Sequence, residues 1–268
     1  MTAALVIARG GSKRLPRKNV KPFCGIPLVA WSVIQAKCSH LIDEVYVSTD
    51  DEEIADISAS YGAEIITRPD WPDADLVAGS RPTAHGIRTI LAMRPDFDLA
   101  LSLLPTRPCR YPDELDRMIT LHNELGGGDD ISVGHMCPRR ETVLGQIISN
   151  GYVKMALFDK HYRFCAMPGG TGVSTPAKML AGCAPEGQDH DSVQDAASEA
   201  HAFDWPDSSA LPAIEVQMWQ TIVDTDTAEE FELGEVLMDH YITGGRGPAV
   251  YYEYAGDYRH LAGNARQL

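Results

Sequence analysis

Thirteen residues near the N-terminus, Ile7–Asn19 (IARGGSKRLPRKN), hold five cations, Arg9, Lys13, Arg14, Arg17 and Lys18, and no carboxylate; Lys21 follows. The pair Gly10–Gly11 lets the backbone approach an anion closely, and the cations neutralise charge that backbone N–H groups alone do not. The chemistry this favours is the binding of a phosphate chain. The segment is not a Walker loop, since G-x-x-x-x-G-K-[ST] is absent, and it is not a G-x-G-x-x-G dinucleotide loop. By composition alone it also reads as a basic surface loop.

A second candidate is Val223-Asp224-Thr225-Asp226. A turn at the end of a strand can converge two such carboxylates on one cation, and hard oxygen ligands suit a Mg²⁺ that bridges to substrate phosphates. The spacing equally allows an N-cap, with Asp or Thr, for a helix starting near Ala228. Taken together, a basic phosphate loop and a carboxylate pair make a nucleotide-triphosphate site in which each feature has a reason to exist.

The elements that must position these groups follow from periodicity. Ala3–Ala8 reads as a buried strand, Leu28–Cys38 as a helix and Val45–Thr49 as a strand. Asp50 and Asp51 form an N-cap region for a helix over Glu52–Tyr61 that Gly62 stops, and Glu64–Thr67 is a third strand. Pro82 opens a helix to about Met93, Asp98–Leu104 is a strand, Asp113–Leu125 a helix and Ile131–His135 the next strand. Alternating strands and helices with nearly continuous apolar strands predict a doubly wound, mainly parallel α/β sheet. Ligands bind such sheets at the carboxyl ends of the strands, where the loops Arg9–Asn19, Thr49–Asp51, Arg68–Arg81 and Pro105–Pro112 fall.

Beyond Cys137 the pattern weakens. A hairpin (Gln146–Ile148, Val153–Phe158) leads into a Gly/Pro/Ser-rich stretch, Pro168–Pro212, so 137–212 reads as an insertion within one domain spanning 1–268. Ala213–Val223 is expected as a strand and Ala228 to about Tyr241 as a helix, before a tail carrying Tyr251, Tyr252, Tyr254 and Tyr258 that packs on the domain or on a partner subunit.

Composition excludes several classes. The 268 residues carry a net charge of −15, which argues against nucleic acid as partner. Met179–Gly245 holds 15 carboxylates and no Lys or Arg, so the rest of the chain balances, 23 cations to 23 carboxylates. No apolar run approaches the roughly 18 residues of a membrane helix, and Arg9 interrupts the first one too early for a signal peptide, which predicts a cytoplasmic protein. The six cysteines form no C-x-x-C pair and read as reduced thiols, and Asp189-His190-Asp191 as a solvated acidic loop.

At the two candidate features the sequence resembles the CMP-sialic acid synthetases, the acylneuraminate cytidylyltransferases. Their opening signature, A-R-x-x-S-K-x-x-P-x-K-N, is matched by Arg9, Ser12, Lys13, Pro16, Lys18 and Asn19. Val47–Asp50 resembles their V-S-T-D, Arg68-Pro69 their R-P pair, Leu103–Pro108 their L-L-Q-P-T-S-P loop and Ile222–Thr227 their I-D-I-D-T metal motif. The resemblance implies a Rossmann-like, three-layer α/β/α nucleotidyltransferase. It implies CTP held by Arg9, Lys18 and Asn19 together with Gly10, Gly11, Ser12 and Lys13. It places the cytidine end near Arg68 and Ser80, Thr106 and Arg107 in the substrate loop, and Mg²⁺ on Asp224 and Asp226, with Arg9, Lys18 and Asp226 catalytic. It also implies a homodimer in which a β-rich segment of 137–212 reaches across to the partner.

The departures fall on the acceptor side: Leu104 and Arg107 stand where the family has Gln and Ser, and Met167–Gly170 replaces R-P-N-G. The expected activity is transfer of CMP from CTP to an anionic acceptor, in the usual case a sialic-acid-like 2-ulosonic acid, with release of pyrophosphate. A phosphonate or another anionic acceptor, and a nucleotide-binding regulator without turnover, are the alternatives; Arg107, Arg139, Arg140 and Arg163 each read either as a carboxylate clamp for the acceptor or as a surface residue.

Overall fold

The computed structural model describes residues 1–69, 71, 80–111, 113–127, 131–136, 145–147, 153–155, 164–166, 171–181, 183, 213–217 and 223–246. The tail tyrosines, Met167–Gly170, Arg139, Arg140, Arg163 and Asp189–Asp191 lie outside them.

The first apolar run forms β1 (Thr2–Ile7), buried on both faces: Ala4 and Val6 belong to one core cluster, Ala3 and Leu5 to another. A 3-10 turn (Lys18–Val20) and a small hairpin, β2 (Pro22–Phe23) with β3 (Ile26–Pro27), lead to α1 (Leu28–Cys38). The hairpin turns on Cys24 and Gly25, at φ 48° and 82°, and positive φ at both central residues is what a two-residue turn matching the strand twist requires. Helix α1 is buried from Leu28 to Ala36, so it reads as apolar on all sides.

Next come β4 (Glu44–Thr49), α2 (Glu52–Ser60), β5 (Glu64–Thr67), α3 (Ser80–Met93), β6 (Leu99–Leu103), α4 (Glu114–Glu124) and β7 (Ile131–Met136). The chain continues with β8 (Gly145–Ile147), β9 (Val153–Met155), β10 (Phe164–Ala166), β11 (Thr171–Ser174), α5 (Pro176–Ala181), β12 (Ala213–Gln217) and α6 (Ala228–Leu237). A π-helical stretch, Met238–Arg246, follows α6 directly.

The strands run β5-β4-β1-β6 in parallel, then β11 and β7 antiparallel; β7 also pairs with β10 antiparallel and with β12 in parallel. Successive strands leave β1 in opposite directions, β4 and β5 on one side and β6 on the other, which makes the end of β1 a topological switch point. Side chains of α1, α2, α4 and α6 join the core cluster of Ala4 and Val6, and those of α3 and α5 the cluster of Ala3 and Leu5. The result is the expected three-layer α/β/α sandwich.

Of the strand expected over Ala213–Val223, Ala213–Gln217 is strand, Val223 is not, and 218–222 lies outside the described residues. Helix α3 begins two residues before Pro82, which still lies in the first turn, where a missing N–H costs no hydrogen bond. Within 137–212 the pair β8–β9 forms a sheet of its own, but β10 and β11 join the main sheet, β11 between β6 and β7. Its Gly-rich surroundings hid that strand.

Candidate active site

At the carboxyl ends of β1, β4, β5 and β6 opens a cleft of about 580 Å³. The basic loop forms one wall, contributing Arg9, Ser12, Lys13, Arg14, Lys18 and Asn19. Leu104, Pro105 and Thr106 also line it, together with Asp224 and Asp226. Arg68 and Asp50 complete the polar lining.

The loop is held internally and from outside. The Asn19 side chain donates to the Arg9 carbonyl at 2.9 Å, leaving its buried Oδ1 without a partner. The Gly10 N–H donates to Asp50 Oδ1 at 2.9 Å. A Cβ on Gly10 would lie 2.3 Å from Asp51 Oδ2, so glycine is needed there for packing. Ser12 Oγ is also buried without a partner. Gly11 is exposed in the same loop and does not line the cleft.

Three residues bring the carboxylate pair to the cleft, and none stands out in the sequence as functional. Thr225, fully buried, donates its N–H to the Thr106 carbonyl at 2.8 Å and its hydroxyl to the same oxygen at 3.2 Å. Gly234 of α6 leaves room for the Thr225 methyl, since a Cβ there would sit 3.1 Å from it. Thr227 caps α6, accepting from the Glu230 N–H while Glu230 accepts from the Thr227 N–H. Thr227 is thus the cap of α6, and Asp224 and Asp226 line the cleft.

Asp226 accepts from Lys18 Nζ on Oδ1, and Arg14 lies 2.6 Å from Oδ2. Asp224 is divided. Its Oδ1 is buried without a partner, while the rest of the carboxyl opens to the cleft. Burial pushes this carboxyl above its ordinary value, with a hydrogen bond from Thr106 pulling the other way. Among the described residues no cluster of three or more His, Cys, Asp or Glu side chains is assembled to hold a metal. Two carboxylates with one orphaned oxygen nonetheless fit Mg²⁺, which keeps several waters and takes only one or two protein carboxylates beside substrate phosphates.

Arg68 and Arg107 each meet partners within the protein. Arg68 lines the cleft, but its guanidinium is spent on β4: Nε donates to Ser48 Oγ at 3.0 Å and NH2 to the Ser48 carbonyl at 2.6 Å. Its burial pushes the pKa down to about 10. Arg107 does not line the cleft; it is buried behind Asp224, Nε 3.9 Å from Oδ2, because its backbone N–H is turned back onto the Leu104 carbonyl. The side chain of Ser80 lies outside the described residues. Sequence reading missed Trp71, which borders the cleft with Arg81 stacked 4.6 Å from its ring centre and His85 edge-on at 5.9 Å. It is a lone aromatic in a Pro/Asp loop, and no periodicity could have marked it.

Residues 3–126 match the sequence model of a family described as cytidylyltransferase. N-acylneuraminate cytidylyltransferase A of Danio rerio is 32% identical over 174 residues, 56% of this chain and 40% of that protein. CMP-N,N'-diacetyllegionaminic acid synthase of Legionella pneumophila is 35% identical over 127 residues, 46% of this chain and 53% of that protein. The chain thus spans about half or less of the length of these relatives. Among solved structures, CMP:2-keto-3-deoxy-manno-octonic acid synthetase complexed with CTP superposes with a TM-score of 0.65 at 16% identity, covering 89% of this chain and 98% of that one. At that identity the likeness establishes the α/β fold alone.

Proposed function

We propose that the chain transfers CMP from CTP to a sialic-acid-like 2-ulosonic acid, releasing pyrophosphate, a reading supported by the match of residues 3–126 to the cytidylyltransferase family model. The observation that carries the reading is one cleft, at the switch point of the sheet, in which a cationic loop faces a carboxylate pair. A triphosphate and a divalent cation give both walls a role.

In this reading the hydroxyl on the anomeric carbon of the acceptor attacks the α-phosphorus. The bond from that phosphorus to the bridging oxygen breaks, and pyrophosphate leaves with the electron pair. Arg9, Lys13 and Lys18 take the charge of the β- and γ-phosphates, which strengthens as the leaving group separates. Asn19 fixes the loop by holding the Arg9 carbonyl. Asp224 and Asp226 would hold Mg²⁺, which when bound supplies charge neutralisation at the α-phosphate and eases loss of the acceptor's proton. Transfer of this kind rests on positioning and electrostatics, and both walls are set by contacts to the backbone within the protein.

The reading includes Mg²⁺ dependence, a homodimer and a cytoplasmic location. No helix among the described residues is long and apolar enough to cross a membrane. The decisive experiment is pyrophosphate release from CTP and Mg²⁺ across a panel of 2-ulosonic acids and phosphonates. Release with a 2-ulosonic acid supports the reading; release only with a phosphonate moves the acceptor class, and CTP binding without release for any acceptor favours a regulator. Asp224→Asn should lose most turnover while the protein stays folded, and turnover near wild type would remove Asp224 from the mechanism.

A further inference from the structure

Arg17 is the one cation of the Ile7–Asn19 segment that neither lines the cleft nor pairs with its carboxylates; it turns the opposite way. Its backbone is left-handed, φ 58°, at the entry to the 3-10 turn Lys18–Val20. That conformation is disfavoured for a residue with a Cβ, so something must hold it. The guanidinium does: NH1 and NH2 reach the two carboxylate oxygens of Asp51, the second at 3.2 Å, and NH2 also bonds Glu53. Asp51 is the N-cap of α2, accepting from the Ile54 N–H at 3.0 Å, and Glu53 lies in the first turn of that helix.

The same Asp50–Asp51 pair meets the loop at its other end. Asp50 accepts from the Gly10 N–H, and Asp51 packs so close to Gly10 that no side chain fits between them. The cationic loop is therefore gripped at residues 10 and 17 by two consecutive carboxylates fixed to the start of a helix. Between the two grips lie Ser12, Lys13 and Arg14, all lining the cleft.

We propose that Arg17 is a positioning residue that clamps the phosphate loop to the N-terminus of α2 and so presets the cations of that loop for a triphosphate; the triphosphate part rests on the CTP reading above. The fork satisfies two carboxylates that would otherwise stand unneutralised beside a polyanion site. It also holds the loop closed before ligand arrives, sparing CTP the cost of ordering it.

The test uses Arg17→Ala, Arg17→Gly, Arg17→Lys and Asp51→Asn in the full chain, the last keeping a competent N-cap without the charge. In nucleotide-free protein, amide exchange over residues 10–14 should rise about five-fold or more in Arg17→Ala, Arg17→Gly and Asp51→Asn, and by less in Arg17→Lys. With CTP and an accepted acceptor, the first three should raise KM for CTP about ten-fold with kcat within about two-fold, as expected when binding order rather than chemistry is lost. Unchanged exchange in Arg17→Ala overturns the clamp. So does an Arg17→Gly protein as protected as wild type, since backbone conformation alone would then hold the loop. A wild-type protein that releases no pyrophosphate defeats the CTP reading, while exchange still decides the clamp.

Discussion

Lys18 Nζ bonds Asp226 Oδ1 across the cleft, joining residues 208 positions apart in the chain. With Arg14 2.6 Å from the other oxygen, both oxygens of Asp226 are matched by cations. A divalent cation must displace these groups, and a triphosphate is the ligand that would draw them away. Nucleotide and metal should therefore bind with positive coupling, each weakly alone.

Removing the competitor tests this directly. Lys18→Ala should bind Mn²⁺ about ten-fold more tightly than wild type without nucleotide, equivalent to ~1.4 kcal/mol, while losing turnover of CTP. Calorimetry or Mn²⁺ paramagnetic resonance on the nucleotide-free protein reads the first effect. Equal or weaker Mn²⁺ binding in the variant would mean that the ion pair does not compete with metal.

Gly10→Ala should act through Asp51. The new Cβ would meet Asp51 Oδ2 at 2.3 Å and its Cβ and Cγ at 2.9 Å, so the whole side chain must move. Moving it breaks the cap on α2 and the fork from Arg17, a loss of about 1–2 kcal/mol. Urea unfolding should show that loss together with a raised KM for CTP. Stability equal to wild type would show that the loop can shift away at no cost.

Arg110 should prove a costly single polar truncation. It is 2% exposed and donates to Thr171 Oγ1 at 2.9 Å, Gln35 Oε1 at 2.8 Å and the Leu104 carbonyl at 2.9 Å, with buried Glu114 at 4.0 Å. One side chain thus ties β11 and α1 to the loop that carries Thr106. Arg110→Met leaves those acceptors without their donor and removes the cation beside buried Glu114, about 3–5 kcal/mol, or a fall in Tm of roughly 6–15 °C. A Tm within about 2 °C of wild type would show that the network contributes little.

Local signals made much of this legible in the sequence, and long-range ones did not. Strands β1, β4, β5 and β6 and their helices follow from apolar runs and from caps such as Asp51 and Gly62, all decided within a few residues. The basic loop and D-x-D are recognisable by type and spacing. Their partners are not: Thr225 serves by a bond to Thr106, 119 residues away, and Arg17 by a fork to α2. Nothing in the composition of the loop separates Arg17 from Lys18, yet one faces α2 and the other the cleft. Nor does the sequence show that the turn after β6 buries Arg107 beside Asp224.

The Arg17 fork also carries a pH signature. Its hydrogen bond holds the Asp51 carboxyl below the ordinary 3.8, aided by the Ile54 N–H and opposed by partial burial. A carboxyl depressed in the folded state stays charged there while the unfolded chain takes up the proton first. Its stabilisation is therefore complete above the ordinary value and lost as pH falls below it. Arg17 stays charged throughout, Asp50 lies beside Asp51, and Glu53 shares the fork. The stability gap between wild type and Arg17→Ala should thus be widest near pH 7, unchanged at pH 5 and clearly smaller by pH 3. Urea midpoints at the three values measure it, and because Arg17 is partly exposed the gap should also shrink in high salt. A gap that persists at pH 3, or widens there, would mean that Arg17 stabilises the protein by packing and not through its carboxylates.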